Sequence, residues 1–286
     1  MKIVTDSAVD MPAEELKLLD ISQAPLMIQF PEGEVSSAEI SADEFYNRLE
    51  AMRPALPTTA APSGGMFAGL YQQLAVQDPD ILSIHISSGL SATLEAARDG
   101  REHVSTEANI ELWDSLSLSG GERFQVLAAA LASQAGWTMD SIRERLAKIR
   151  EKAEVIYTLE TLEYLARGGR IGRVKALAGA LLSLKPVIRV DTDGKYSTVT
   201  STRTIGKSIS AIVEHLSQRY GSTPVWATVL HGRFAEKAEF LNDELNKKLV
   251  VARSEILRIS PVLGVHTGPG IVGAAVVPME LMADLG

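Results

Sequence analysis

The sequence contains no cysteine among its 286 residues. Without thiols the chain can form neither a disulfide framework nor a thiolate-ligated zinc or iron–sulfur site, and this composition suits a reducing cytosol. The five histidines show neither His-x-x-x-His nor His-Glu-x-x-His spacing. We therefore expect no metal site and no cofactor that depends on one.

The chain also lacks a long apolar run. The best one, residues 176–184, is too short to span a bilayer, and an acidic residue at Asp6 comes too early for a secretory signal peptide. These features predict a soluble intracellular protein, located in the cytoplasm.

Basic residues are in the minority: 28 Lys and Arg against 36 Asp and Glu give a formal net charge of −8. Because binding to nucleic acid requires clustered cations that neutralise phosphates, this balance argues against nucleic acid as a general partner. Any basic patch must be local. The length, with 45% hydrophobic residues, is sufficient for two domains with substantial cores.

The first half of the chain alternates short β-type runs with amphipathic helical segments, a pattern typical of a parallel sheet flanked by helices. The predicted strands cover residues 2–5, 22–29, 81–86, 110–113 and 155–159. The predicted helices cover residues 12–19, 42–52, 64–75, 92–104, 120–136 and 140–152. We therefore expect an α/β domain over residues 1–155.

The second half continues as another α/β unit, over residues 156–286, with a mixed sheet of its own. It is predicted to contain an apolar helix at 176–184, a hairpin turning at Thr192-Asp193-Gly194, helices at 205–219 and 235–248, and a strand at 225–230. The fold class expected for the whole chain is α/β with two domains and a ligand between them.

Three loops combine hydroxyl side chains with glycine or proline. Residues 57–65 and 86–93 each precede a predicted helix, so hydroxyls and free backbone N–H groups point toward one place. Such side chains are ordinary helix caps in many proteins, so spacing alone leaves both a site and a structural role open.

The third loop follows an apolar run, 259–264, that predicts a strand. His266 and Thr267 then stand on a Gly-Pro-Gly turn, and residues 271–277 predict a second strand. Glycine lets backbone approach a ligand closely, so imidazole, hydroxyl and N–H groups could surround one carboxylate or phosphate. A tight hairpin whose histidine bonds nearby backbone is the alternative.

Two catalytic motifs are incomplete. Gly206-Lys207-Ser208 resembles the end of a P-loop, but the position of its first glycine holds Ser201. Gly89-Leu-Ser91-Ala-Thr93 approaches a nucleophile elbow but lacks the last glycine. Neither segment supports a nucleotide site or a serine hydrolase by itself.

Together the motifs closely resemble the DegV family of bacterial fatty-acid-binding proteins, also called FakB proteins. The resemblance runs nearly end to end through Val4-Thr-Asp6-Ser7, Thr59 with Pro62-Ser63, Ser87-Ser88 with Leu90-Ser91-Ala-Thr93, Asp114-Ser115, Leu162-Glu-Tyr-Leu with Gly168-Gly169-Arg170-Ile-Gly172, Lys185-Pro186 and His266-Thr267-Gly268-Pro269-Gly270. It implies a lipid carrier, not an enzyme. Such a protein buries a long-chain fatty acid, palmitate-like or stearate- or oleate-like, in a tunnel between its domains.

The resemblance further implies that the carrier presents the carboxyl group to a separate, FakA-like fatty acid kinase, which forms the acyl phosphate used in phospholipid synthesis. An acyl phosphate acyltransferase at the membrane is a possible later partner. The implied carboxylate ligands are Thr59, Ser91, His266 and Thr267. One departure concerns residues 60 and 61: the family loop commonly reads Thr-Ser-Gln-Pro-Ser, whereas Ala60-Ala61 follows Thr59 here, which implies fewer donors at the head group.

Arginines that serve docking or activity in the family correspond to Arg170, Arg173 and Arg203. Arg167, Arg170, Arg173 and Lys175 form a cation cluster in an acidic chain, and we expect it to dock an acidic partner. Burial of Arg170 against the fatty acid carboxylate is the competing interpretation, because a guanidinium pairs well with that group.

A second class of function is an acyl hydrolase or acyltransferase in which Ser91 is the nucleophile and His266 the base. It requires an acid that orients the histidine and an oxyanion hole, and the sequence identifies neither. A phosphotransferase acting alone would need a complete P-loop and acidic metal ligands, which are also missing.

Overall fold

The structure is a computed structural model that describes residues 1–104, 107–177 and 184–285, with the backbone alone for residues 175–177. In chain order the strands are β1 (Lys2–Asp6), β2 (Ile21–Ala24), β3 (Met27–Phe30), β4 (Gly33–Ser36), β5 (Thr58–Ala60), β6 (Asp80–His85), β7 (Asn109–Asp114), β8 (Glu154–Leu159), β9 (Lys185–Val190), β10 (Tyr196–Thr202), β11 (Val225–His231), β12 (Val251–Arg258) and β13 (Ile271–Pro278). The α-helices are α1 (Ala13–Leu18), α2 (Ala42–Ala51), α3 (Gly64–Ala75), α4 (Thr93–Glu102), α5 (Ser119–Gln134), α6 (Met139–Lys152), α7 (Glu163–Arg167), α8 (Ile205–Tyr220), α9 (Ala235–Lys248) and α10 (Pro261–Thr267), and 3-10 helices cover Gly172–Leu177 and Met279–Leu281.

The first sheet has the order β2-β1-β6-β7, and all its strand pairs are parallel. Its central strands are buried on both faces, as parallel strands covered by helices must be. Helices α3 and α4 pack on one face around Val4, Phe67 and Ile81. The carboxyl ends of these strands lie at one edge, so the loops that follow β1, β6 and β7 meet there.

The second sheet is mixed, with the order β10-β9-β8-β13-β11-β12. Only β11 and β12 pair in parallel, and the remaining neighbours are antiparallel. Helices α8 and α9 cover its outer face around Ile212 and Leu241. The α/β class, with one parallel and one mixed sheet, is as the sequence predicted.

Helix α5 is the layer between the two sheets. It is buried along nearly its whole length, and Phe124 and Leu127 join a core cluster that contains side chains of both sheets. Close approach requires glycine at its start, because a Cβ on Gly120 would lie 2.5 Å from the Cβ of Ala275 in β13. Arg123, also on α5, pairs with Glu15 of α1 and Glu255 of β12. The helix therefore connects both halves of the chain.

A third, antiparallel sheet of order β4-β3-β5 corrects the prediction of one strand over residues 22–29. That stretch forms β2 in the first sheet and β3 in the third. Pro25 has no N–H for a continuous ladder. The amide of Leu26 instead donates to Ser7 Oγ at 2.9 Å, which turns the chain out of the first sheet.

The strand predicted at 259–264 is also wrong, because residues 261–267 form helix α10. Ser260 occupies its N-cap position and Pro261 its first turn, where a missing N–H costs nothing. His266 and Thr267 therefore stand on the last turn of a helix, which Gly268 ends with a φ of +71°.

The other predicted elements agree with the structure to within a few residues, among them β13, α8, α9 and the hairpin that turns at residues 191–195. Of the apolar helix predicted at 176–184, residues 178–183 lie outside the described residues, and so does the side chain of Lys175. The domain boundary at residue 155 stays a prediction. Within the described residues, no helix combines the length and the apolar character needed to cross a membrane.

Candidate functional site

Four side chains from distant parts of the chain line one cavity. Thr59 comes from β5, Ser91 from the loop between β6 and α4, and His266 and Thr267 from the last turn of α10. The cavity also contacts Ala8 and Ile86, at the carboxyl ends of β1 and β6. The structure thus brings together all four residues that the sequence proposed as carboxylate ligands.

Thr59 and His266 are in direct contact, with 2.9 Å between Thr59 Oγ1 and His266 Nε2. The imidazole is held from its other side by the turn after α7. A Cβ on Gly168 would lie 2.3 Å from His266 Nδ1, so only glycine leaves room for the ring at this position. Gly168, the first glycine of the Gly168-Gly169 pair, therefore leaves the space that the imidazole occupies.

Burial and, to a smaller extent, the nearby Arg170 guanidinium lower the pKa of His266 to about 4. The ring is consequently neutral at neutral pH. Its Nδ1 atom has no hydrogen-bond partner in the described part of the chain. A neutral imidazole beside a cation and two hydroxyls forms a site that lacks a negative charge.

The hydroxyls differ in their availability. Ser91 Oγ lies 2.8 Å from Thr93 Oγ1 and accepts the Thr93 amide at 3.3 Å, so it caps the start of α4 and still borders the cavity. Thr267 Oγ1 donates to the Leu263 carbonyl at 2.9 Å within α10. Thr59 and Ser91 are therefore the freer donors, and Thr267 must rotate to donate to a ligand.

The structure separates the predicted arginines. Arg170 is part-buried and lines the cavity, where its Nη1 donates to the Gly168 carbonyl at 2.8 Å. Arg173 is exposed and pairs with Asp193 in the β9–β10 turn. Arg203 is exposed just after β10 and makes no bond within the described residues. Sequence position alone did not distinguish the cation at the cavity from those on the surface.

A second cavity lies next to the first. The two share Tyr196, Leu263 and Thr267 as wall residues. The second is lined mainly by apolar side chains of the second sheet, Val155, Leu230 and Ile271 among them, and by Leu118 and Ile259, which precede α5 and α10. A cavity that contains the polar groups of Thr59, Ser91, Arg170 and His266 therefore lies beside an apolar one, which we call the slot.

Sequence reasoning missed the walls of this slot. Apolar residues of the first half of the chain lie elsewhere: Ile28 and Phe30 pack with Phe45, Phe67 is in the core against α4, and Met66 is 40% exposed. Tyr157 and Tyr196 were not considered at all. The sequence pattern can show which face of its strand each tyrosine occupies. Only tertiary packing shows that both rings line the slot.

Two hundred and seventy-nine residues, 1–279, match the model of the family described as "uncharacterised protein, DegV family". The chain belongs to the DegV family. It is 35% identical over 278 residues to a DegV domain-containing protein of Deinococcus radiodurans, covering 96% of this chain and 95% of that protein. A DegV domain-containing protein of Clostridium perfringens is 34% identical over 280 residues, covering 96% and 97%.

Solved DegV structures superpose over almost the whole chain. A fatty-acid-binding DegV family protein from Thermus thermophilus matches with a TM-score of 0.90 at 28% identity, covering 97% of this chain and 99% of that one. DegV of Bacillus subtilis, a fatty-acid-binding protein, matches with a TM-score of 0.87 at 28% identity, covering 96% and 98%. The arrangement of the sheets described above is thus the DegV fold.

Two other DegV segments in the sequence have structural roles. The buried Asp6 carboxylate accepts from the Ala8 and Ile86 amides and contacts His85 Nδ1 at 3.1 Å, so it holds the ends of β1 and β6 together. Asp114 accepts from the Leu116 amide and from Ser88 Oγ. These contacts fix the loop that carries Ser91 at the sheet edge.

The site does not have the arrangement of a serine hydrolase. Ser91 Oγ bonds Thr93, whereas His266 Nε2 contacts Thr59. No carboxylate among the described residues orients His266 from Nδ1, the position that the acid of a triad would occupy. Nor do the described residues include a group of three or more His, Asp or Glu side chains that could hold a metal ion.

Proposed function

We propose that this protein binds one long-chain fatty acid, with the carboxylate in the cavity of Thr59, Ser91, His266 and Arg170 and the tail in the slot. The observation that carries the proposal is that the two cavities are neighbours, with Tyr196, Leu263 and Thr267 as shared wall residues. Hydrogen-bond donors in one cavity and apolar walls in the other correspond to the two ends of a fatty acid. The relatives from Thermus thermophilus and Bacillus subtilis, which bind fatty acids, support it.

Affinity comes mainly from the tail. Moving a chain of sixteen to eighteen carbons from water into an apolar slot gains roughly 0.8 kcal/mol per methylene, on the order of 10 kcal/mol before ordering costs. The carboxylate loses hydration on entry and needs donors in return. Thr59, Ser91 and the Arg170 guanidinium supply them, and charge-assisted bonds of this kind are stronger than neutral ones.

We further propose that the protein presents the bound carboxyl group to a separate fatty acid kinase and takes no part in catalysis itself. The lack of a Ser91–His266 pair and of an acid behind His266 favours this role over hydrolysis. The exposed Arg173 and Arg203 lie outside the cavity and are suited to docking an acidic partner. An acyl phosphate acyltransferase at the membrane would be the next partner.

The ligand class is tested by extracting the purified protein with organic solvent and analysing the extract by mass spectrometry. We expect one fatty acid per chain, of the palmitate, stearate or oleate type. A matched variant, Thr59→Val with Arg170→Ala, should retain much less. An extract without lipid, together with no binding of added palmitate, would refute the proposal.

The carrier role is tested with ATP, magnesium and palmitate. We expect acyl phosphate only when a bacterial fatty acid kinase is added to the protein. Turnover of ATP or of an acyl ester by the purified protein alone would instead show an enzyme.

A further inference from the structure

Tyr164 contacts the elements that carry the carboxylate ligands but is not one of the residues that line their cavity. It belongs to helix α7, and its side chain is only 2% exposed. The ring packs against the end of α10, because a Cβ on Gly268 would lie 2.3 Å from Tyr164 Cε2. Gly268 directly follows His266 and Thr267, so the ring supports the helix turn that carries both residues.

The backbone of Tyr164 acts on the same imidazole from another side. Its carbonyl accepts a hydrogen bond from the Gly168 amide at 2.9 Å. This bond fixes the turn at Gly168, whose missing side chain leaves room for His266 Nδ1. Both the ring and the carbonyl of Tyr164 therefore contact residues that surround His266.

Thr59 reaches the site on a separately packed part of the chain, residues 27–60, which contains β3, β4, α2 and β5 and which we call the Thr59 unit. Its apolar side chains, Ile28 and Phe45 among them, form one cluster. Within the described residues, the only buried members of that cluster from outside the unit are Tyr164 and Val265. The unit therefore packs its core on α7 and α10, the two elements that position His266.

The Tyr164 hydroxyl extends this packing to the segment that leads into Thr59. It accepts a hydrogen bond from the guanidinium of Arg53, whose central carbon lies 5.8 Å from the centroid of the ring. Arg53 stands in the loop between α2 and β5, six residues before Thr59. The hydrogen bond raises the pKa of Arg53, so the guanidinium stays charged, and a charged donor makes a stronger bond than a neutral one.

Two other arginines connect the Thr59 unit to the second half of the chain, but both act on α2. Arg233 pairs with Glu50, and Arg258 pairs with Asp43. Helix α2 ends at Ala51, before the loop that contains Arg53 begins. These pairs are accessible to solvent, and such pairs contribute little energy. They fasten the helix and leave the segment between α2 and β5 to the contact with Tyr164.

Resting on the proposed function, we infer that Tyr164 is a positioning residue of the carboxylate site, which holds Thr59 beside His266 through its bond with Arg53. Its ring contacts the turn that carries His266, and its hydroxyl contacts the loop that leads to Thr59. One side chain thus sets the distance between two ligands that come from different halves of the chain.

The inference is tested by titrating the delipidated protein with palmitate in a double-mutant cycle of Tyr164→Phe and Thr59→Val. Tyr164→Phe keeps the ring against Gly268 and removes only the bond from Arg53. We expect affinity to fall about 3- to 10-fold, the range that a single hydrogen bond provides. In the Thr59→Val background the same change should have at most about a twofold effect, because no hydroxyl remains to be positioned. A merely structural role would not depend on Thr59 in this way.

Three further variants locate the effect. Arg53→Met removes the same contact from its other side, so it should match Tyr164→Phe, and the double variant should lose no more than either. Tyr220→Phe removes a buried hydroxyl that bonds two backbone carbonyls elsewhere, and Arg233→Gln breaks a contact of α2. Both of these should bind palmitate like the wild type.

Unchanged palmitate affinity in Tyr164→Phe would overturn the inference while leaving fatty acid binding in place. So would an equal loss in the Thr59→Val background, or a loss in Arg233→Gln as large as that in Tyr164→Phe. If the wild type itself fails to bind palmitate, the proposed function is wrong, which makes the two failures distinguishable.

Discussion

Thr59 Oγ1 and His266 Nε2 lie 2.9 Å apart although the two residues are separated by 207 positions in the sequence. Thr59 stands on a three-residue strand of the small third sheet, and His266 on the last turn of α10. Either atom can donate, depending on the tautomer of the imidazole. An entering carboxylate has to compete for these same donors, so the pair connects ligand binding to the position of α10.

Thr59→Val keeps the shape of the side chain and removes its hydroxyl. We expect fatty acid affinity to fall by about 1–3 kcal/mol, because a buried carboxylate then lacks one donor. Displacement of a fluorescent fatty acid measures the change. Thr58→Val is the matched control, since Thr58 is exposed and alternation turns it away from the cavity. Equal losses in the two variants would contradict the role of Thr59.

Binding of a fatty acid should be accompanied by proton uptake at His266. In the ligand-free protein its pKa is about 4, so the ring is neutral near pH 6. A carboxylate beside it favours the imidazolium and raises that pKa, so affinity increases as the pH falls from 7 toward 5. Calorimetry at pH 6 in buffers with different ionisation enthalpies measures the uptake. His266→Gln should abolish the buffer dependence.

The same pKa predicts how the ligand-free protein responds to acid. Because the folded value of about 4 lies below the unfolded value of 6.5, the unfolded state binds the proton first. The contribution of His266 to stability is therefore complete above pH 6.5 and is lost as the pH falls to 4. The loss is on the order of 3 kcal/mol at 1.36 kcal/mol per unit of pKa. Urea denaturation of wild type and His266→Gln should show their difference shrinking or reversing over this window, and parallel curves would refute it.

Helical periodicity and apolar runs predicted most of the regular elements, because α8 and α9 each have a buried and an exposed face and β13 is one continuous apolar run. The third sheet was missed because its strands have only three or four residues, too few for alternation to be visible. Helix α10 was taken for a strand because nearly all of it is buried, which removes the polar face that marks a helix. The Ser260-Pro261 start was the signal that could have identified it.

The four carboxylate ligands were proposed from family resemblance, and spacing could not have grouped them, because they converge only where the third sheet, the loop after β6 and α10 pack together. Arg170 shows the limit of charge patterns. It lies three residues from Arg173 in one cationic cluster, yet the turn after α7 directs one guanidinium to the cavity and leaves the other in solvent. A cluster of cations in the sequence does not show in which direction each side chain points.

Arg170 and Arg173 should accordingly have different effects when replaced. Arg170→Ala removes the cation at the cavity, and we expect at least a tenfold loss of fatty acid affinity, about 1.4 kcal/mol. Arg173→Ala with Arg203→Ala should leave that affinity unchanged and lower the rate of kinase-coupled phosphorylation, more strongly at low salt where screening is weak. The two assays on the same set of variants check this. Normal palmitate binding by Arg170→Ala would contradict a role at the carboxylate and favour a role of Arg170 in partner docking.

Gly168→Ala offers a purely steric test of how the imidazole is positioned. Gly168 has an ordinary φ of −76°, so alanine strains no backbone there, but its Cβ would lie 2.3 Å from His266 Nδ1. The ring must move, and the 2.9 Å contact with Thr59 should be lost. We expect a fall in fatty acid affinity comparable with that of Thr59→Val.

Gly169→Ala is the control, because it strains the backbone and causes no steric clash: its Cβ would meet nothing within 4 Å, but its φ is +73°. That variant should lose about 1–2 kcal/mol of folding stability and keep its affinity, because the strain is local and the imidazole is untouched. If both variants bound palmitate like the wild type, the packing of Gly168 against His266 would have no part in holding the carboxylate site.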